Sequence, residues 1–149
     1  MIGYFDTSAV VPLVVAEPSS DRCSQLWHAC DQRVSSMLLV AEAHAALAAA
    51  LRADRLTVGQ HRRAVALLGR RIDEVALVLP TREIADSAAR LALRHALRGY
   101  DAVHAATALA LASPELVAVA GDQSLLQAMA ALGLATADVI RRPVPRGAG

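Results

Sequence analysis

Five short apolar runs, separated by one or two stretches of helical periodicity, constrain the fold of this 149-residue chain more than any other feature. The runs are IGYF (2–5), VSSML (34–38), VALVLP (75–80), LVAVA (116–120) and LATADV (134–139). Strands that alternate with helices build a mostly parallel sheet with helices on both faces. The expected fold is therefore one α/β domain on a five-stranded sheet, with the first strand central. No repeat, low-complexity block or linker divides it. Residues 1–140 are expected to form the domain, and RRPVPRGAG (141–149) reads as a flexible tail.

Between the runs, local signals predict where helices start and stop. Thr7 or Ser8 can cap a first helix reaching about Ala16, with Pro12 in or just past its first turn, where proline is tolerated. Ser19 or Ser20 can cap DRCSQLWHAC, whose Cys23, Leu26, Trp27 and Cys30 form one apolar stripe. An Ala-rich helix runs from about Leu39 to Ala53 and carries Glu42 near its start. Thr57 caps a helix over roughly 58–74, with Val65, Leu68 and Ile72 inward and the Arg pairs outward. A helix from about Arg82 to Leu97 ends at Gly99, which suits a left-handed terminator. DAVHAATALALA follows it and stops before Pro114.

Hydrophobic residues make up 55% of the chain and charged residues 19%. No uninterrupted apolar stretch reaches the ~20 residues of a membrane span. AVVPLVVA follows an acid and is broken by Pro12, so it does not read as a signal peptide; a cytoplasmic location and no membrane partner are expected. Cys23 and Cys30 lie two helical turns apart, too far for a disulfide, and are expected to stay reduced.

Four acids stand where an apolar run ends or a helix begins: Asp6 in YFDTSAV, Glu42 in LLVAEAHAAL, Asp101 in RGYDAVHAATAL and Asp122 in VAVAGDQSLL. Binding sites of open α/β sheets form outside the carboxyl ends of the strands. Two unit charges about 5 Å apart repel by roughly 3 kcal/mol at an effective dielectric near 20. A cluster of four therefore holds either protons or a hard divalent cation. Oxygen donors without a Cys or His pair at ligand spacing favour Mg²⁺ or Mn²⁺ over zinc. Outside these four acids, ten acidic residues face fifteen basic ones, a net +5 that suits a polyanionic substrate. All fifteen are Arg. Arg94 and Arg98, read as one helical turn apart just before Asp101, are the candidates for phosphate contact.

The order and spacing of DTSA after the first strand, Glu after a Ser-containing strand, YDAVHAATAL and a final GDQSL resemble the PIN domain. More narrowly, they are similar to the nuclease toxins of VapBC toxin–antitoxin systems. The resemblance covers nearly the whole chain. It implies an Mg²⁺- or Mn²⁺-dependent endoribonuclease neutralised by a small VapB-type antitoxin, homodimeric or hetero-oligomeric with that partner. The family's acidic positions fall on Asp6, Glu42, Asp101 and Asp122, and its small hydroxyls on Thr7 and Ser8. Asp6 is expected as a direct or bridging ligand with Asp101 opposite. Glu42 would orient the attacking water or hold a second ion. Relatives often carry Thr at the place of Ala120, so Asp122 is expected to be the least well oriented.

Other chemistries lack their residues. HExxH, P-loop, GxGxxG and GxSxG patterns are absent. Phosphotransfer domains that begin with a strand and an Asp also need a Lys, and this chain has none. His104, on the face of Asp101, reads as a packing or supporting residue, and His44 points elsewhere. The alternative function is a PIN-like module that binds RNA or a peptide without cutting.

Overall fold

The computed structural model describes residues 1–140; the expected tail at 141–149 lies outside the described residues. Five strands, β1 (Ile2–Phe5), β2 (Gln32–Ser36), β3 (Ala76–Val78), β4 (Leu116–Ala120) and β5 (Ala135–Asp138), form one sheet in the order β3-β2-β1-β4-β5. Every pairing is parallel, and β1 is central, as expected. The chain winds outward from β1 through β2 to β3, then crosses to the other side of β1 for β4 and β5. The switch point therefore lies between β1 and β4, at their carboxyl ends.

Side-chain alternation builds the two layers. Tyr4, Leu116, Ala118 and Ala120 face α5 (Arg82–His95), α6 (Gly99–Ala110) and α7 (Gln123–Ala131). Phe5 and Val119 point the other way, towards α1 (Thr7–Val10), α2 (Ser20–Ala29), α3 (Leu38–Arg52) and α4 (Val58–Asp73). Two-residue periodicity in a doubly covered sheet requires apolar residues at successive positions, and VAVA supplies them. Ser35, fully buried on β2, donates its hydroxyl to the Phe5 carbonyl at 2.7 Å and so carries no unmet polar cost.

Several boundaries differ from the sequence reading. The first helix is capped by Asp6, not Thr7 or Ser8, and gives way after Val10 to a 3-10 turn at Val11–Leu13. Pro12 has no N–H to continue the α ladder, which ends the helix early. Ser19 occupies the cap of α2 without a side-chain bond, and Ser20 instead bridges the Glu17 amide and the Val15 carbonyl. β2 begins two residues before VSSML because pairing with β1 places Gln32 beside Ile2, while Leu38 already belongs to α3. Glu42 consequently falls in the second turn of α3.

The α5 terminus differs most. The left-handed residue is Ala96, at φ 51°, and Gly99 is instead the first residue of α6. Arg94 and Arg98 are thus not a turn apart on one helix: Arg94 is exposed on α5 and Arg98 caps α6. The Thr57 cap is present as a full capping box with Gln60. Both cysteines are buried and free, and burial pushes the Cys23 thiol up to about 11.

Gly3 is required by close approach. A Cβ there would meet Phe5 Cε2 at 2.5 Å and Cys30 Sγ at 2.6 Å, both inside the core. Gly3→Ala should destabilise the protein by about 1–3 kcal/mol through overpacking. An unshifted urea midpoint in the variant would show that β1 has more room than these contacts allow.

Candidate active site

Asp6 begins where β1 ends, and its backbone amide extends the β1–β4 ladder by donating to the Val119 carbonyl at 3.0 Å. One carboxylate oxygen, Oδ2, accepts from the Ser8 amide at 3.0 Å and the Ser8 hydroxyl at 2.6 Å. The Ser8 hydroxyl in turn accepts from the Gly121 amide at 2.8 Å. Ser8 therefore ties the exit of β1 to the exit of β4. The carboxylate is nearly buried, and these charge-assisted bonds offset part of its desolvation.

Glu42 reaches the same place from α3. Its Oε1 accepts from the Thr7 hydroxyl at 3.1 Å and lies 2.6 Å from His104 Nε2. Thr7 and Ser8 thus each hold a different acid, a division of labour that the sequence does not reveal. A carboxylate can only accept, so Nε2 carries a proton. On the other side of the ring, Nδ1 is 2.8 Å from the Tyr4 hydroxyl. Burial, with the charges of Asp6 and Glu42 adding to it, raises the Tyr4 pKa and keeps the phenol neutral. His104 is fully buried. Burial alone would lower its pKa, but the Glu42 bond and the charges of Asp6, Glu42 and Asp101 outweigh it and hold the pKa above 6.5. Nε2 also lies 3.6 Å from Asp6 Oδ1.

Asp101, in the first turn of α6, and Asp122, the N-cap of α7, form the outer half of the cluster. Asp122 Oδ1 accepts from the Leu125 amide at 2.9 Å. Its own helix fixes it, so Ala120 does not leave it unoriented as the sequence suggested. Arg98 lies across both acids, with Nε 2.8 Å from Asp101 Oδ2 and Nη2 3.5 Å from Asp122 Oδ2.

The structure thus gathers Asp6, Glu42, Asp101 and Asp122 at one sheet edge, with Thr7 and Ser8 among them. It divides them into an inner pair around His104 and an outer pair around Arg98. Among the described residues, no three of the His, Cys, Asp and Glu side chains stand together as a ready cation cage. Their donor chemistry still fits a hard ion, because every acid offers carboxylate oxygen and both cysteines are buried elsewhere. His44 bonds the Val40 carbonyl and plays no part. Tyr4 was not foreseen; its one available signal was the β1 alternation that turns it towards α6.

Fold and cleft together define a single-domain α/β protein with a carboxylate cluster at the switch point of its sheet. The PIN domain model matches residues 3–131, and the chain belongs to the PIN domain family. It is 42% identical over 126 residues to Ribonuclease VapC45 of Mycobacterium tuberculosis, covering 82% of this chain and 85% of that protein. Its fold is similar to that of PAE2754 from Pyrobaculum aerophilum, with a TM-score of 0.68 at 23% identity over 91% and 83% of the two chains. It is also similar to VapBC-5 from Mycobacterium tuberculosis, a member of the VapBC family of toxin–antitoxin systems. That match has a TM-score of 0.60 at 19% identity over 92% and 98% of the two chains.

The His104 environment generates a pH prediction. Because its folded pKa is raised, its stabilising contribution is complete below 6.5 and is lost as pH rises through the folded value. Chelator-treated protein should therefore lose stability as pH rises above 6.5, and His104→Gln should flatten that part of the profile. An identical slope in the variant would show that His104 is not the titrating group.

Proposed function

We propose that this protein is a metal-dependent endoribonuclease of the toxin–antitoxin type. The observation that carries the reading is the convergence of four acids, from four separate elements, on the β1/β4 switch point. They stand as two bridged pairs, Asp6 with Glu42 around His104 and Asp101 with Asp122 around Arg98. Similarity to a ribonuclease over most of both chains supports the substrate class. Asp6 and Asp101 would hold Mg²⁺ or Mn²⁺, with Glu42 and Asp122 completing the site directly or through water. When bound, the ion supplies Lewis-acid polarisation of the scissile phosphate and lowers the pKa of a water.

The chain's own groups have separable tasks in this scheme. Ser8 fixes Asp6 Oδ2, leaving Oδ1 without a Ser8 bond, 3.6 Å from His104 Nε2. Thr7 and His104 both bond Glu42 Oε1, which leaves Oε2 to accept a proton from the attacking water. Arg94 and Arg98 are the proposed RNA-contacting cations; Arg94→Ala should weaken RNA binding across sequences and flatten its salt dependence. An unchanged salt slope would remove Arg94 from that role.

A non-cutting binding module is the second reading, favoured by the Arg98 guanidinium and the His104 N–H already placed among the acids. Cleavage of a labelled RNA panel separates the two. Mg²⁺ or Mn²⁺ should be required, Asp6→Ala and Asp101→Ala should abolish cutting, and Glu42→Ala should come close. Asp122→Ala should be mildest, since its Oδ1 is committed to capping α7. Metal-independent cutting, or full activity in folded Asp6→Ala, would refute the assignment.

The proposed partner is a small antitoxin, in line with the VapBC-5 relative. Guanidinium or ammonium groups from such a partner would neutralise the acids as Arg98 does within the chain. A groove lined by Val11, Val15, Ala46, Ala50 and Leu56 offers an apolar face of the kind an amphipathic helix fills. Expression of this chain alone should slow growth, and co-expression with a small gene encoded beside it should restore growth. Normal growth despite abundant folded protein would argue against the toxin role while leaving the nuclease assignment to the cleavage assay.

A further inference from the structure

We propose that Arg98 is a resident counter-ion of the outer carboxylates, and that a divalent cation and its guanidinium compete for Asp101 and Asp122. The inference rests on the metal-dependent reading above and adds a built-in competitor to it. Arg98 bonds the two acids through a single oxygen on each: Nε to Asp101 Oδ2 at 2.8 Å and Nη2 to Asp122 Oδ2 at 3.5 Å. On Asp122 the other oxygen, Oδ1, is already engaged by the Leu125 amide. The oxygen most available to an ion is therefore the one Arg98 faces. Among the described residues, no other basic side chain pairs with either acid.

The exposures fit displacement. The acids are set into the surface, with side chains 15% and 31% exposed, whereas Arg98 is 80% exposed and lies over them from the solvent side. Its backbone is held, because the Arg98 carbonyl accepts from the Ala102 amide at 2.9 Å. Its side chain makes no capping bond to α6, so the helix does not depend on the guanidinium. Swinging the mostly exposed side chain outward breaks two solvent-screened contacts. The acids cannot leave, but the cation can. Removing Arg98 leaves Asp101 and Asp122 repelling each other, a condition that a divalent ion relieves.

Calorimetric titration of chelator-treated protein with MnCl₂ and MgCl₂ tests this directly, using wild type, Arg98→Ala and Arg98→Lys, each checked for folding by circular dichroism. Arg98→Ala should bind the ions roughly two- to tenfold more tightly, the range set by the small worth of exposed ion pairs. Its cation-induced rise in melting temperature should also exceed that of wild type, and Arg98→Lys should fall between. Binding by Arg98→Ala where wild type shows none would be the strongest support. Equal dissociation constants would overturn the competition and leave the metal site standing. Weaker binding by Arg98→Ala would also overturn it and make Arg98 a residue that orients the acids for the ion. Absence of binding in all three proteins would overturn the metal-dependent reading together with this inference.

Discussion

Repulsion between carboxylates is the constraint on which the arrangement of this molecule turns. The carboxyl edge of β1 and β4 gathers four acids, and any two unit charges about 5 Å apart repel by roughly 3 kcal/mol in a partly solvated protein. The chain meets this cost with local donors, the Arg98 guanidinium and the His104 ring. Asp6 is bonded by Ser8, Glu42 by Thr7 and His104, Asp122 by the Leu125 amide, and Asp101 by Arg98. Arg98 offsets one of the four acidic charges, and His104 offsets a second when protonated. The remaining negative charge is what the proposed divalent cation would match.

Topology makes the cluster possible. A sheet wound outward in both directions from β1 opens a crevice where the winding reverses, and the exits of β1 and β4 both end there. Asp6 and Asp122 come directly from those exits, each as the cap of the helix that follows. Glu42 and Asp101 are delivered by α3 and α6 from opposite faces of the sheet. Ser8 holds the two exits together through the Gly121 amide, so local capping chemistry and the geometry of the site are the same set of bonds. Helix N-termini at Asp6, Asp101 and Asp122 add a modest dipole contribution that favours ionised acids.

Much of this was legible in the sequence because it depends on local pattern. LVAVA reads as a doubly covered strand and is one, residue for residue, and the four acids stand at element boundaries that chain order alone marks. What the sequence hid is set by tertiary context. The start of β2 is chosen by register against β1, which recruits Gln32 and Arg33 ahead of the apolar run. The end of α5 uses Ala96 in a left-handed conformation that sequence reasoning reserves for glycine, and this moved Arg98 from a helix face to the cap of α6. The bond between Tyr4 and His104 spans 100 residues; no local signal encodes it. Ala120 misled in the opposite direction, since Asp122 takes its orientation from α7 rather than from a side chain at residue 120.

In the proposed scheme Asp6 and Asp101 hold one divalent cation together, and the ion displaces Arg98 from the outer pair. The most direct measurement is a crystal structure of the protein grown in Mn²⁺, with anomalous scattering locating the ion. The expected result is an anomalous peak touching Asp6 and Asp101 together, with Arg98 withdrawn from Asp122. A saturating Mn²⁺ experiment that leaves the cluster without a peak, with Arg98 still across Asp101 and Asp122, would contradict it.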